Sequence, residues 1–525
     1  MANENAQMAS KKERPEFESM VHMLAHAAKE YPNHIAVISG ENEITFADYY
    51  ACVAGLANNL LKMGAKNERV IILKANSIDT AIAANAVWAA GAQVVMFNPL
   101  YTESELKPLI EDVSPMIILC DVTHVAILAP LADASGIRHF YTFDDELVDI
   151  KQWHGQQNLR LPDPMPQKND PALLAYTGGT TGLPKGAIHT HAMMLAMAKA
   201  MDGLYSTTIA GDIWLNVAPV SHIWGWCVSL VSPMYSCNTI VLVPKFIPDV
   251  VISEIERTKA TIFAGGPSVI YNALLAVPTL KETDLSNLRL CLGGGSAFAH
   301  TTITSWEEAS GNTVHELWGM SEAAPLSGNP SNQPNKIGSV GLSCVMTDVE
   351  VVDPETGVDI MPVDKAGELR VRGPQMITTY WNRPKETANT IRDGWLYTGD
   401  IGSKDETGRI TIVDRKKDMV NVGGYNVFPR EIDEILFTHP EIQEAAAIGV
   451  PDSHRGEAIQ AFVVTTERAA VTAEEIIVYC KKKLAKFKVP SVVNIVDSLP
   501  KTPAAKIDKM ALRASFEENK TEPQS

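Results

Sequence analysis

Cysteine is scarce in this 525-residue chain: Cys52, Cys120, Cys227, Cys237, Cys291, Cys344 and Cys480 are odd in number and scattered. None has the close paired spacing of a zinc site or redox motif, so a disulfide scaffold is excluded and reduced, buried thiols are expected. Long apolar runs are also lacking. The uncharged stretch Thr80 to Thr102 is broken by Asn85, Gly91 and Gln93, and the stretch Ile213 to Pro244 by Pro219, His222, Pro233 and Asn238. Neither is one continuous apolar helix, so both read as buried strand-helix-strand units and no transmembrane segment is expected. Positive charge is short as well, with 45 Lys and Arg against 62 Asp and Glu and a net charge of -17. That is the wrong sign for holding nucleic acid or an anionic lipid surface. Met1 to Lys12 shows no apolar signal core, and Pro523-Gln524-Ser525 resembles no retention or peroxisomal tripeptide, so a cytoplasmic location is expected. Internal repeats and low-complexity tracts are absent.

What is present is ordinary globular composition, 46% hydrophobic and 20% charged, in a chain long enough for more than one domain. Arg69 to Lys74 predicts a strand, Ser77 to Ala90 a helix stopped near Gly91, and Gln93 to Phe97 the next strand. The alternation returns at Pro115 to Asp121 and from Ile213 to Gly265, with one helix expected over Trp226 to Ser236. Near-continuous apolar strands between helices imply α/β-layered sheets covered on both faces. From about Gly367 the texture changes to short alternating segments with turns, which predicts an antiparallel β part. A small α+β C-terminal domain is expected after Asp414, with a helix from Thr472 that carries acids first and lysines last. The expected division is 1–414 and 415–525. The second holds 16 basic and 16 acidic residues, so the negative excess falls in the first.

The strongest local signal is Tyr176-Thr-Gly-Gly-Thr-Thr-Gly-Leu-Pro-Lys-Gly186. Its glycines Gly178, Gly179, Gly182 and Gly186 permit close backbone approach, while the hydroxyls of Thr177, Thr180 and Thr181 and the Lys185 ammonium can face a phosphate. It is not a Walker A loop, because Leu183-Pro184 separates Gly182 from Lys185 and no Ser or Thr follows the lysine. By itself it also reads as a glycine-rich surface loop.

Four further segments follow in order: His315-Glu-Leu-Trp-Gly-Met-Ser-Glu322, Asp393-Gly-Trp-Leu-Tyr-Thr-Gly-Asp400, the run from Asp414-Arg-Lys-Lys to Phe428-Pro-Arg-Glu431, and Pro500-Lys-Thr-Pro-Ala-Ala-Lys506. With the loop they form a set that resembles the adenylate-forming superfamily of acyl-CoA synthetases, luciferases and adenylation domains. Asn98-Pro-Leu-Tyr-Thr102 resembles its fatty-acyl branch. The resemblance implies an ATP-dependent acid-thiol ligase: a carboxylic acid, here a medium- or long-chain fatty acid, becomes acyl-AMP and passes to coenzyme A, with Mg²⁺ assisting. An aryl-acid CoA ligase and a degenerate nucleotide- or acyl-binding protein are the alternatives. Homodimer formation is left open.

The resemblance also implies roles. Asp400 accepts hydrogen bonds from the ribose hydroxyls and Arg415 adds a donor. Trp318 stacks on adenine, its alternative being a core tryptophan. Gly319, Met320 and Ser321 continue the nucleotide segment, and Gly295 and Ser296 pass beside the nucleotide or form a structural turn. Glu322 and Thr181 face Mg²⁺, and Thr181 also serves catalysis. Lys506 reaches from the small domain to the reacting carboxylate and α-phosphate, although Ala505 stands where the family usually has glycine. Thr379, before Tyr380, also replaces a usual glycine. His222 gates the acyl pocket or packs in the core. Lys417 is the hinge on which the small, mobile domain turns, and Gly423 and Gly424 line the CoA path. The Lys481 to Lys488 cluster is a solvated helix end or a contact for CoA phosphates. The acyl pocket is expected to gain room at Gly265, Gly266 and Gly319, with Trp224 taking some of it back.

Overall fold

Burial on both faces is what the apolar strands require, and the computed structural model meets it with two large mixed sheets. It describes residues 14–177, 184–296, 298–423, 425–452, 454–466, 469–501 and 507–521. The six-stranded sheet runs in the order His139–Thr142, Ile117–Cys120, Arg69–Leu73, Gln93–Met96, Pro171–Thr177, Lys185–Thr190, parallel except at its last pair. The helix Ile78–Ala89 joins two of these strands, and the Ser77 hydroxyl caps it by accepting from Thr80 N at 3.2 Å. Residues Thr80 to Ala89 of that helix are all buried, which explains why its sequence shows no polar face.

The nine-stranded sheet has a parallel centre that includes Ile262–Gly266, Leu290–Gly294 and Val314–Met320, and antiparallel strands at both edges. The stretch from Ile213 supplies two of its strands, Ile213–Asn216 and Thr239–Leu242. The segment between them departs from the single helix expected over Trp226 to Ser236. It consists of helix Ile223–Trp226, a wider π-helical turn Cys227–Val231, and helix Ser232–Tyr235. Pro233 has no N–H to offer the preceding turn and its ring crowds the carbonyl four residues back, so the helix widens there. Among the described residues no helix is long and apolar enough to cross a membrane.

An antiparallel sheet follows, built from Asp348–Val352, Gly367–Arg372, Ile391–Arg392, Trp395–Lys404 and Ile410–Arg415. A short 3-10 turn, Lys416–Asp418, then leads into the smaller C-terminal sheet, whose longest pair is Ile442–Asp452 and Gly456–Thr465. The architecture is therefore α/β with a large N-terminal part, an antiparallel β part and a small α+β domain, as the sequence implies. The described cysteines are all buried and none of them forms a disulfide.

A buried charge network ties the end of the chain to that turn. Asp433, on helix Pro429–Phe437, accepts from Ala447 N and from Lys509 Nζ, the latter at 2.7 Å. On the same C-terminal helix, Lys509–Thr521, Arg513 pairs with Asp418 at 3.0 Å. Removing one partner of a buried pair leaves the other charge uncompensated. Lys509→Met should therefore lower stability by about 3 kcal/mol in urea unfolding. A change under about 0.5 kcal/mol, the range of an ordinary surface substitution, would show that the pair lies in effective contact with water.

Candidate functional site

Three stretches far apart in sequence meet beside the phosphate-type loop. The hairpin Pro171–Thr177 and Lys185–Thr190 carries the loop at its tip, with Thr177 and Lys185 opposite each other. Residues 178–183, and so Gly178, Gly179, Thr180, Thr181 and Gly182, lie outside the described residues. The second stretch is the segment after Ile377. Ala187 and Tyr380 form an antiparallel bridge, and Trp381 N donates to Gly186 O at 2.8 Å. A side chain at Gly186 would stand 2.8 Å from Leu174 and 3.3 Å from Trp381, so that glycine lets the two segments close.

The third stretch is the turn at Ser321-Glu322. Ile377 N donates to Glu322 O at 2.9 Å, and His189 Nε2 lies 2.8 Å from Ser321 O. A carbonyl only accepts, so His189 carries its proton on Nε2. Burial pushes its pKa down to about 4, and its Nδ1 is buried without a hydrogen-bond partner. The outcome is a tight group: the buried Tyr380 hydroxyl donates to Glu322 Oε1 at 2.5 Å, and Lys185 Nζ stands 4.9 Å from the centre of the Tyr380 ring.

A second group forms where the nine-stranded sheet meets the antiparallel one. Asp400 and Arg415 are partners on adjacent strands, with Arg415 Nε 2.9 Å from Asp400 Oδ1. Trp318 Nε1 donates to Asp400 Oδ2 at 2.8 Å. Trp318 is buried in a cluster with Leu326, Val351 and Leu369, and its indole fixes the aspartate. Met320 packs on the same cluster, while Gly319 between them is exposed. Gly295 has φ +80, and the Ser296 hydroxyl accepts from Ser268 N at 3.3 Å.

The glycines expected to give the acyl pocket room have close neighbours. The open side of Gly265 faces the core, where an added Cβ would meet Phe263 at 2.7 Å and Tyr271 at 2.8 Å. Gly266, at φ +83, would place a Cβ 3.3 Å from Trp224 Nε1. Gly294, which the sequence reading passed over, would place one 2.7 Å from the same indole. The atoms nearest to these glycines are thus core aromatics at Gly265 and the Trp224 indole at Gly266 and Gly294. At Gly319 the atoms nearest to an added Cβ belong to Ala324 and Ala323, with Ala324 Cβ at 3.1 Å.

His222 caps the short helix that carries Trp224, its Nδ1 accepting from Trp224 N at 3.2 Å. The loop before it is held by a residue that sequence reasoning missed. Asn76 accepts from Val220 N at 2.9 Å and donates to Ala218 O at 2.9 Å and Val243 O at 3.2 Å, joining the two large sheets. Its one local signal is a polar side chain just after an apolar strand. Lys417 lies in the Lys416–Asp418 turn, where burial lowers its pKa. Gly423 has φ +61 and donates to Arg455 O at 2.9 Å; Gly424 and Lys506 lie outside the described residues. Within the lysine cluster, Lys488 is paired with Glu431 and Lys483 donates to Tyr479.

Comparison with known proteins agrees with this geometry. The AMP-binding enzyme family matches residues 24–381, and the AMP-binding enzyme C-terminal domain matches residues 431–506. A long-chain-fatty-acid--CoA ligase of Bacillus subtilis (strain 168) is 35% identical over 95% of this chain and 94% of its own length. Among solved structures, ATP-bound MatB from Rhodopseudomonas palustris superposes with TM-score 0.88 at 29% identity, covering 95% of this chain and 99% of that one. The apo form of MatB gives 0.78 at the same identity and coverage. The chain belongs to the AMP-binding enzyme family, the adenylate-forming superfamily. Within it the chain is an AMP-forming acyl-CoA synthetase.

One buried acid of the site can be tested by pH. Burial pushes the Glu316 carboxyl up to about 7, with Arg430 pulling it back and Glu434 adding to the rise. The folded chain therefore keeps a proton that the unfolded chain has lost from about pH 4.5 upward. The stability this contributes is full below that value and is lost as pH rises through about 7. Glu316→Gln cannot ionise, so its melting temperature should gain on wild type between pH 5 and pH 8, by a stability difference on the order of 2 kcal/mol. A gap independent of pH would place the ionised carboxylate in water.

Proposed function

We propose that this acyl-CoA synthetase uses ATP and Mg²⁺ to convert a long-chain fatty acid into acyl-AMP and pyrophosphate, then passes the acyl group to coenzyme A. The observation that carries the reading is the convergence of Lys185 and Glu322 on Tyr380 beside the phosphate-type loop. The near full-length likeness to a long-chain-fatty-acid--CoA ligase supports the choice of acid.

In the first step a carboxylate oxygen attacks the α-phosphorus and the bond to pyrophosphate breaks. The reacting groups repel each other, so the work of the protein is positioning and charge compensation. Lys185 and the backbone and hydroxyls of Thr177 to Gly182 hold the phosphates. Asp400 takes the ribose hydroxyls, with Arg415 beside it as a donor and Trp318 fixing its orientation. Gly295, Ser296 and the Gly319 to Ser321 segment run alongside the nucleotide, and the Trp318 ring borders the adenine. Lys506 brings a cation from the small domain to the carboxylate and α-phosphate.

The residues present fit Mg²⁺. Among the described residues no group of three or more His, Cys, Asp or Glu side chains gathers to cage a metal. A buried carboxylate oriented by a phenol at one oxygen suits an ion that takes one or two carboxylates and completes its shell with phosphate oxygens and water. Glu322 would hold it, and the Thr181 hydroxyl would be a second ligand. When bound, the ion would neutralise charge on the phosphates.

In the second step the CoA thiol attacks the acyl carbonyl and AMP leaves. The small domain, 415–525, turns on Lys417 relative to 1–414 and brings Gly423 and Gly424 to the thiol path, while His222 opens the pocket. The better match to ATP-bound than to apo MatB supports an arrangement suited to the first step. Gly319 borders the acyl tunnel, with Trp224 over the ends of the neighbouring strands.

A panel of acids from acetate to stearate, with aryl acids included, tests the reading through pyrophosphate release and CoA-dependent thioester formation. Long chains should give the highest kcat/KM; preference for aryl acids, or no release with any acid, would contradict it. Gly319→Trp should shift preference towards acetate or propionate by about tenfold or more while the KM for ATP stays within about twofold. An unchanged acid preference would remove Gly319 from the pocket.

A further inference from the structure

Tyr380 has no role in the readings above beyond being a neighbour, yet its placement is more constrained than either residue it touches. Its backbone is fixed twice, by the bridge to Ala187 and by donation from its N–H to Thr387 Oγ1 at 3.0 Å. Its ring packs in a small buried cluster with Ala187 and Ile377. From this fixed base the phenol presents two chemically different surfaces. The hydroxyl meets a carboxylate, Glu322, and the electron-rich face meets an ammonium, Lys185. A phenol can serve both at once, because its O–H is a donor and its π face attracts a cation.

We propose that Tyr380 is a positioning residue for the metal-nucleotide step, one rigid ring that fixes the spacing between the carboxylate facing Mg²⁺ and the ammonium facing the phosphates. The inference rests on the reading of Glu322 and Lys185 given above. The Tyr380 hydroxyl takes one oxygen of Glu322 and so turns the other towards the cation. An ordinary phenol is protonated at neutral pH, so its hydroxyl is a donor there. Without the hydroxyl, Glu322 keeps its charge but loses the contact that aims it. Without the ring, Lys185 also loses the face that holds its head group.

Equilibrium ATP binding without acid, in Mg²⁺ and in EDTA, separates these effects, because no turnover is involved. In wild type, Mg²⁺ should tighten binding. Tyr380→Phe keeps the ring and removes one charge-assisted hydrogen bond, so the Mg²⁺/EDTA affinity ratio should fall about tenfold while the EDTA affinity holds. Glu322→Gln should lower the ratio similarly, and the double variant should lose nothing more. Tyr380→Leu, which removes the face as well, should also weaken binding in EDTA by about threefold. A merely structural tyrosine would lower the melting temperature of Tyr380→Phe without moving the ratio. If wild type and Glu322→Gln behave as stated but Tyr380→Phe keeps the wild-type ratio, the positioning role is overturned and the Glu322 reading stands. If wild type shows no Mg²⁺ effect, or Glu322→Gln retains it, the metal reading itself falls and takes this proposal with it.

Discussion

Everything at the phosphate end of the site depends on a short antiparallel contact, residues 379–381 laid against the strand Lys185–Thr190. Ile188 N donates to Thr379 O and Trp381 N to Gly186 O, at 3.4 and 2.8 Å. The contact brings a segment that leads into the antiparallel sheet onto the edge of the six-stranded one. It is reinforced from outside, since Trp381 Nε1 donates to Asp112 O at 2.9 Å and the Arg69 guanidinium lies over the Trp381 ring. The turn at Ser321-Glu322 then closes the third side through His189 and Ile377. A catalytic set assembled from positions near 185, 322 and 380 needs such cross-links, because misplacement by about 1 Å can cost two orders of magnitude in rate.

The same logic of distant partners governs the charges. The large part of the chain carries the acidic excess, yet the carboxylates that matter most are those shielded from water. Asp400 is held by an indole and a guanidinium, Asp433 by a partly buried ammonium, and Glu316 lies buried within reach of Arg430 and Glu434 of the small domain. Arg430 N also donates to Asp414 Oδ2 at 2.9 Å, next to the turn that holds Lys417. The small domain is therefore attached through polar, hydrogen-bonded contacts around a short turn. Contacts of this kind can be exchanged for others when the domain moves, whereas an apolar seam would resist separation.

The layered sheets, the antiparallel part and the ordered motifs were legible because each is written in local pattern: apolar strands, alternating residues, glycine-rich turns. Asp400 opposite Arg415 follows from such a motif. Tyr380, Asn76 and His189 were not legible as site residues, since the side chains and carbonyls they meet at the site lie between 58 and 195 residues away. The surroundings of the glycines were hidden for a related reason. A missing Cβ is visible in the sequence, but which side chain fills the space is decided by tertiary packing, and at Gly265 and Gly266 it is Phe263, Tyr271 and Trp224. The helix near Pro233 shows the opposite case, where a local rule about proline was available and would have predicted the widened turn.

The proposed two-step chemistry would divide its labour between a large-domain frame and one cation, Lys506, which the small domain would supply for the first step alone. The most direct measurement supplies Lys506→Ala either with fatty acid and ATP or with synthetic acyl-AMP and CoA. Adenylation should fall on the order of 10²-fold or more, while thioester formation from acyl-AMP stays close to wild type. Equal loss in both half-reactions, or an unchanged rate of pyrophosphate release, would contradict the division.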